Sequence, residues 1–203
     1  VVVKDAYWWL PLLGFYHGAR EEEFCRLRGT DIYQEKEDGI FVMHFYGPRL
    51  KTPSSRREVP IHSAIIKLGF LDLAKSAGEE LLFPYLREGG PDRKLTYEYT
   101  QHFTDYRRRI GVYRERMHFH SSRHQVTTKM IAEGGNTILM ADEITGHDSK
   151  WRKEIKETQS ESLRYFKGHK AKTLKEAIET INYPQIDIEK IAALAAKSEP
   201  HAN

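Results

Sequence analysis

Residues 6–17, AYWWLPLLGFYH, are apolar on nearly every side. A helix without a polar face has nowhere to lie but inside, so the rest of the chain must supply its cover. The segment therefore reads as a core helix, interrupted near Pro11, whose ring removes a backbone donor and crowds the preceding turn. With 203 residues the chain can form one large domain, or one domain with an appendage. Hydrophobic residues at 39% suffice for a core even beside 30% charged residues, and an aromatic content of 11% argues against wholesale disorder. The single cysteine, Cys25, allows no internal disulfide and fits a reducing compartment; in EEEFCRL it reads as a small buried thiol. No apolar run approaches the roughly 20 residues that cross a membrane. The opening VVVKDAYWWL lacks the pattern of a signal peptide.

The segment GAREEEFCRLRGTDI places acidic residues early and Arg26 and Arg28 late, as a helix dipole favours, with Gly29 as a stop. Residues 40–46 and 58–62 are short β-formers, and the basic connection GPRLKTPSSRR between them makes a hairpin with Lys51 at or near its tip. An amphipathic helix is expected over 63–77, a loop over LLFPYLREGGPDRK, and helices at about 95–110, 120–133, 136–145 and 150–166. The tail holds two short amphipathic helices broken at Pro184. The expected class is α+β, a mostly helical domain with a small antiparallel β-sheet.

The formal charge is only +3, so its distribution says more than its size. Arg49, Lys51, Arg56 and Arg57 form one basic cluster, and Arg107, Arg108, Arg109, Arg114 and Arg116 another. Such clusters suit phosphate backbones, although a solvated helix face explains a charge run more often. Residues 118–125, HFHSSRHQ, concentrate three of the ten histidines beside an arginine. His120 and His124 have the i, i+4 spacing of a zinc pair, but Ser121 stands where a metalloprotease motif has its glutamate, and Arg123 would repel a cation. His120 and Arg123, at i, i+3 near a helix start, fit an anion better. A guanidinium offers a bidentate fork to a phosphodiester and an imidazole carries protons near neutrality.

Taken in order, the motifs resemble the catalytic domain of the tyrosine recombinases, in the phage-integrase branch. They are Gly18-Ala19-Arg20 with Glu23 (GARxxE), the hairpin lysine Lys51 in LKTPSSRREVPIH, His120-Ser121-Ser122-Arg123-His124 (HxxRH), Gly146-His147 in ITGHDS, and Tyr165 in SLRYFKG. The resemblance spans roughly residues 7–183. It implies a site-specific recombinase or integrase that cuts and rejoins DNA through a 3′-phosphotyrosyl intermediate, for integration or excision of a mobile element.

On that resemblance the catalytic set is Arg20, Lys51, His120, Arg123, His147 and Tyr165. Tyr165 would attack phosphorus, and His120 would accept or orient its proton. Arg20 and Arg123 would grip the non-bridging oxygens, His147 would add a hydrogen bond, Lys51 would protonate the departing 5′-oxygen and Glu23 would hold Arg20. No metal and no other cofactor is expected. The implied partners are double-stranded DNA, other protomers in a tetrameric synapse and accessory DNA-bending proteins, with no membrane. The expected location is the cytoplasm of a bacterium, at the nucleoid.

The stretch from His147 to Tyr165 is longer than the family's usual spacing, and Tyr183, followed by Pro184, is a poor substitute nucleophile. The expected division is a catalytic domain over 1–170, without the N-terminal DNA-clamping domain of full recombinases, and a helical tail over 171–203 that docks on a neighbouring protomer. Two other outcomes share the fold: relaxation of DNA in the manner of a type IB topoisomerase, and a non-catalytic DNA-binding accessory protein.

Overall fold

The computed structural model describes residues 5–47, 56–147 and 168–197. The hairpin tip with Lys51, the expected helix at 150–166 and Tyr165 lie outside the described residues. Helix α1 (Ala6–His17) is capped at its start by Asp5, whose side chain accepts from the Tyr7 N–H. It runs unbroken through Pro11, contrary to the interruption expected there. Proline removes only the bond to the Tyr7 carbonyl, and burial of Trp9, Leu10 and Leu13 around it outweighs that loss. As its composition demands, α1 lies in the core and packs on α2 (Glu21–Cys25), α3 (Ser63–Lys67) and α6 (His120–Thr128).

Strands β1 (Ile32–Gln34), β2 (Phe41–Phe45) and β3 (Arg57–Pro60) form an antiparallel sheet in that order. The short β1 was not anticipated. It pairs Ile32 with Met43 and Gln34 with Phe41, while β3 sets Val59 against Met43 and Arg57 against Phe45. Met43, Phe45 and Val59 share the face that joins the helical core, while Val42 is buried on the opposite face.

Helix α2 stops at Cys25, short of the expected Gly29, because the chain is drawn out to pair with the loop that follows the next helices. The Leu27 carbonyl accepts from the Leu82 N–H, and Arg28 bridges Leu81. The amphipathic run at 63–77 divides into α3 and α4 (Phe70–Ala77). After α5 (Thr96–Arg109), α6 continues into a wider π-turn at Lys129–Glu133 and then α7 (Ile138–Thr145). The tail forms α8 (Ala171–Ile178) and α9 (Ile188–Lys197), separated around Pro184 as expected. Leu174, Ala177, Ile178 and Ile181 join the main core, and the Tyr183 hydroxyl donates to the Phe15 carbonyl of α1 at 2.8 Å. Among the described residues no helix is long and apolar enough to cross a membrane.

Candidate active site

The site is assembled around two helix ends. Gly18 closes α1 in the left-handed region (φ 64°), its N–H on the Gly14 carbonyl, and the reversal delivers Arg20 to the start of α2. Glu23, one turn on, reaches back. Its carboxylate accepts from the Arg20 backbone N–H at 2.9 Å and from Arg20 Nη1 at 2.8 Å. Its Oε2 also accepts from Arg57 Nη2 at 3.0 Å. Arg57, buried at the start of β3, lies 4.5 Å over the Phe45 ring. Its Nε donates to the Ile144 carbonyl at 3.0 Å and its Nη2 to the Thr145 carbonyl at 3.1 Å. Those carbonyls belong to the last turn of α7, where unpaired oxygens and the helix dipole favour a cation.

Helix α6 brings the second arginine to the same place. Arg123 is 2% exposed, and its Nη1 donates to the Thr145 carbonyl at 2.6 Å, the oxygen that Arg57 also holds. Its Nε and Nη2 are buried and have no hydrogen-bond partner among the described residues. A continuous path therefore runs Arg20–Glu23–Arg57–Thr145–Arg123. Gly146 closes α7 with φ 72°, and a Cβ there would strike the Arg57 guanidinium, so only glycine serves both the turn and the packing. His147 comes next, half-exposed. Its backbone N–H donates to the Asp142 carbonyl at 3.1 Å, and its Nδ1 stands 3.7 Å from the Asp142 carboxylate. His120, exposed at the first position of α6, sets its ring perpendicular to that of His124 at 5.1 Å.

Charge is concentrated here without being neutralised. Burial pushes the Arg123 guanidinium down to about 10, and Arg20 and Arg57 add to the effect against Glu23 and Asp142. Burial also lowers Arg57, opposed by Glu23. For Glu23 burial acts upward, but the charge and hydrogen bond of Arg57, with Arg20, bring the carboxyl below its usual range. Burial holds His120 below the ordinary imidazole value, helped by Arg123, His124, Arg20 and His147. A neutral imidazole thus stands at neutral pH beside guanidiniums that prefer an anion. Beside them opens a groove of about 1110 Å³, bordered by Arg20, His44, Tyr46, Lys94, Phe119 and His120. Among the described residues no three His, Cys, Asp or Glu side chains gather as a metal site.

Of the six residues expected from the sequence, Arg20, His120, Arg123 and His147 meet around the end of α7; Lys51 and Tyr165 lie outside the described residues. Arg57 was read only as one member of a basic connection. Its signal was the two-residue period of β3 and the chain beyond: Val59 and Ile61 are buried, and Arg57 falls in phase with them.

Two buried arginines converge with a histidine pair beside an open groove on an α+β scaffold. The model of the phage integrase family matches residues 9–152, well over half of the chain, and the chain belongs to that family. It carries a tyrosine recombinase catalytic domain, its general function is site-specific recombination, and DNA is its partner. Neither the comparison with curated proteins nor that with solved structures gives a match.

Proposed function

We propose that this chain cuts and rejoins DNA through a covalent 3′-phosphotyrosyl intermediate, serving integration or excision of a mobile element. The observation that carries the reading is Arg123: buried, close to two other arginines, with Nε and Nη2 unpaired among the described residues. Unpaired buried donors on a charged group are costly, and a non-bridging phosphate oxygen would satisfy both nitrogens in the fork geometry guanidinium prefers. Charge building on those oxygens in the transition state would then meet a preorganised positive field.

In this reading the Tyr165 oxygen attacks phosphorus as the bond to the 5′-oxygen breaks. The phenolic proton, with an ordinary pKa of about 10, passes to His120, whose depressed pKa leaves it free to accept. Lys51 gives its proton to the departing 5′-oxygen. Arg20 and Arg123 hold the non-bridging oxygens and His147 adds a hydrogen bond. The phosphotyrosyl bond conserves the energy of the original ester, so a 5′-hydroxyl can reseal it. Helix α9, with its amphipathic sequence, is the proposed contact to a second protomer in a tetrameric synapse.

A duplex nicked next to the cleavage point traps the intermediate, because the short 5′-fragment diffuses away. The expected result is a covalent protein–DNA adduct whose DNA-bearing peptide contains Tyr165, and no adduct with Tyr165→Phe. An adduct that persisted in that variant, or a different modified residue by peptide mass spectrometry, would refute the assignment.

A further inference from the structure

We propose that Arg57 is a positioning residue for strand cleavage: it ties Glu23 to the end of α7 and so sets Arg20 in register with Arg123 and His147. The inference rests on the phosphodiester reading above and adds a residue that touches no substrate.

The geometry ties Arg57 to α2, to the end of α7 and to β2. Through Nη2 it meets Glu23 Oε2 at 3.0 Å, while the other oxygen of that carboxylate holds Arg20 Nη1 at 2.8 Å. Through Nε and Nη2 it meets the Ile144 and Thr145 carbonyls at 3.0 and 3.1 Å. Thr145 is also the anchor of Arg123, and Gly146, directly before His147, packs against the Arg57 guanidinium. Its plane rests 4.5 Å from the Phe45 ring, opposite it in the β2–β3 register. A planar fork that bonds along two edges while stacking on a ring is a task lysine cannot perform, since an ammonium has neither the plane nor the reach. The helix that starts at Glu21 and the helix that ends at Thr145 have no other side chain among the described residues shown bonding to both.

Glu23 supplies a readout that a purely structural role would leave unmoved. The charged groups facing it are Arg20 and Arg57, with Arg123 further away. Without Arg57 its carboxyl loses the larger of its two downward influences while burial still pushes it up. Protonation of Glu23 would then release Arg20 at a higher pH than in the parent.

The test is single-turnover adduct formation on the nicked duplex, with duplex affinity measured in parallel, for the parent, Arg57→Lys, Arg57→Met and the double variant Arg57→Met/Glu23→Gln. Misplacement of a catalytic group by about 1 Å lowers rates by about 100-fold, and Arg57→Met is expected to show a loss of that order with affinity nearly unchanged. The acid limb of its rate profile should move to higher pH, and Glu23→Gln in the same chain should remove that limb. The double variant also covers the case in which Arg57→Met fails to fold, since it leaves no buried carboxylate short of a partner; it should bind duplex and cleave slowly. Arg57→Lys with the parent's rate and pH profile overturns the proposal, as does a double variant that cleaves at the parent's rate. A parent that binds duplex but forms no adduct instead overturns the phosphotyrosyl reading itself.

Discussion

At the C-terminus of α7, Arg57 and Arg123 are buried around the shared Thr145 carbonyl, with Glu23 bonded to Arg57; at the C-terminus of α1, His17 and His62 are buried as neutral rings. His62 is satisfied at both ring nitrogens, whereas His17 Nδ1 is buried with no hydrogen-bond partner among the described residues. The His62 N–H donates to His17 Nε2 at 3.1 Å, His62 Nδ1 accepts from the Ala64 N–H at 3.0 Å, and His62 Nε2 donates to the Ile181 carbonyl at 3.0 Å. Those bonds join α1, the start of α3 and the segment after α8. The arginine cluster also joins distant elements, and it leaves two nitrogens of Arg123 without a partner among the described residues. The neutral histidine pair ties elements of the fold together; the arginine cluster keeps buried donors together with positive charge, and that combination favours an anion.

Breaking each cluster should therefore give opposite signatures. The largest effect is expected for Arg123→Ala. Loss of a preorganised donor costs about 100- to 1000-fold in chemistry, so adduct formation should fall by that order while duplex affinity, spread over many phosphate contacts, stays within a few-fold. Comparable losses of cleavage and binding would contradict the division drawn here.

His62→Ala should do the reverse. It strands the Ile181 carbonyl and the Ala64 N–H, and unsatisfied buried groups cost about 1–3 kcal/mol each. Denaturant unfolding should show a loss of about 2–4 kcal/mol, with the cleavage rate of the folded protein unchanged.

A smaller effect is expected from pH. Burial lowers His17 well below the ordinary value of 6.5, with His62 and Lys175 acting the same way against the Leu13 carbonyl. Burial lowers His62, and Lys175 adds to it against Glu179 and the Ile181 carbonyl. Protons then bind the unfolded chain first. Stability from this pair is complete above the unfolded value and is lost as pH falls through 6.5 toward the folded values. Each imidazole can contribute a slope of up to about 1.4 kcal/mol per pH unit. Unfolding measured between those limits should lose part of its slope in His62→Gln, and an unchanged slope would argue against a neutral pair.

The smallest change is expected for Ser63→Ala, whose hydroxyl donates to Glu179 at 2.7 Å in an exposed position. A shift of about 1 kcal/mol or less should appear in the same unfolding assay.

The two clusters also differ in how much of them could be read in advance. Arg20, His120, Arg123 and His147 were visible because each sits in a short local motif. The all-round apolarity of AYWWLPLLGFYH likewise marked α1 as core, and Pro184 marked the break in the tail. His17 and Arg57 escaped notice because their roles depend on partners far along the chain: His62 for one, Glu23 with Ile144 and Thr145 for the other. Strand β1 was missed for a related reason. Three residues, Ile32–Gln34, carry too little pattern, and only pairing with β2 makes them a strand. The early stop of α2 follows the same rule, since the bond from Leu82 to Leu27 decides it.

The chain leaves α7 at His147 and is recaptured by the same helix at His169, whose backbone N–H meets Glu143 Oε2 at 2.9 Å and whose Nδ1 meets Oε1 at 3.1 Å. Both ends of the span that carries Tyr165 are thus moored to one helix, the same helix whose last carbonyls hold Arg57 and Arg123.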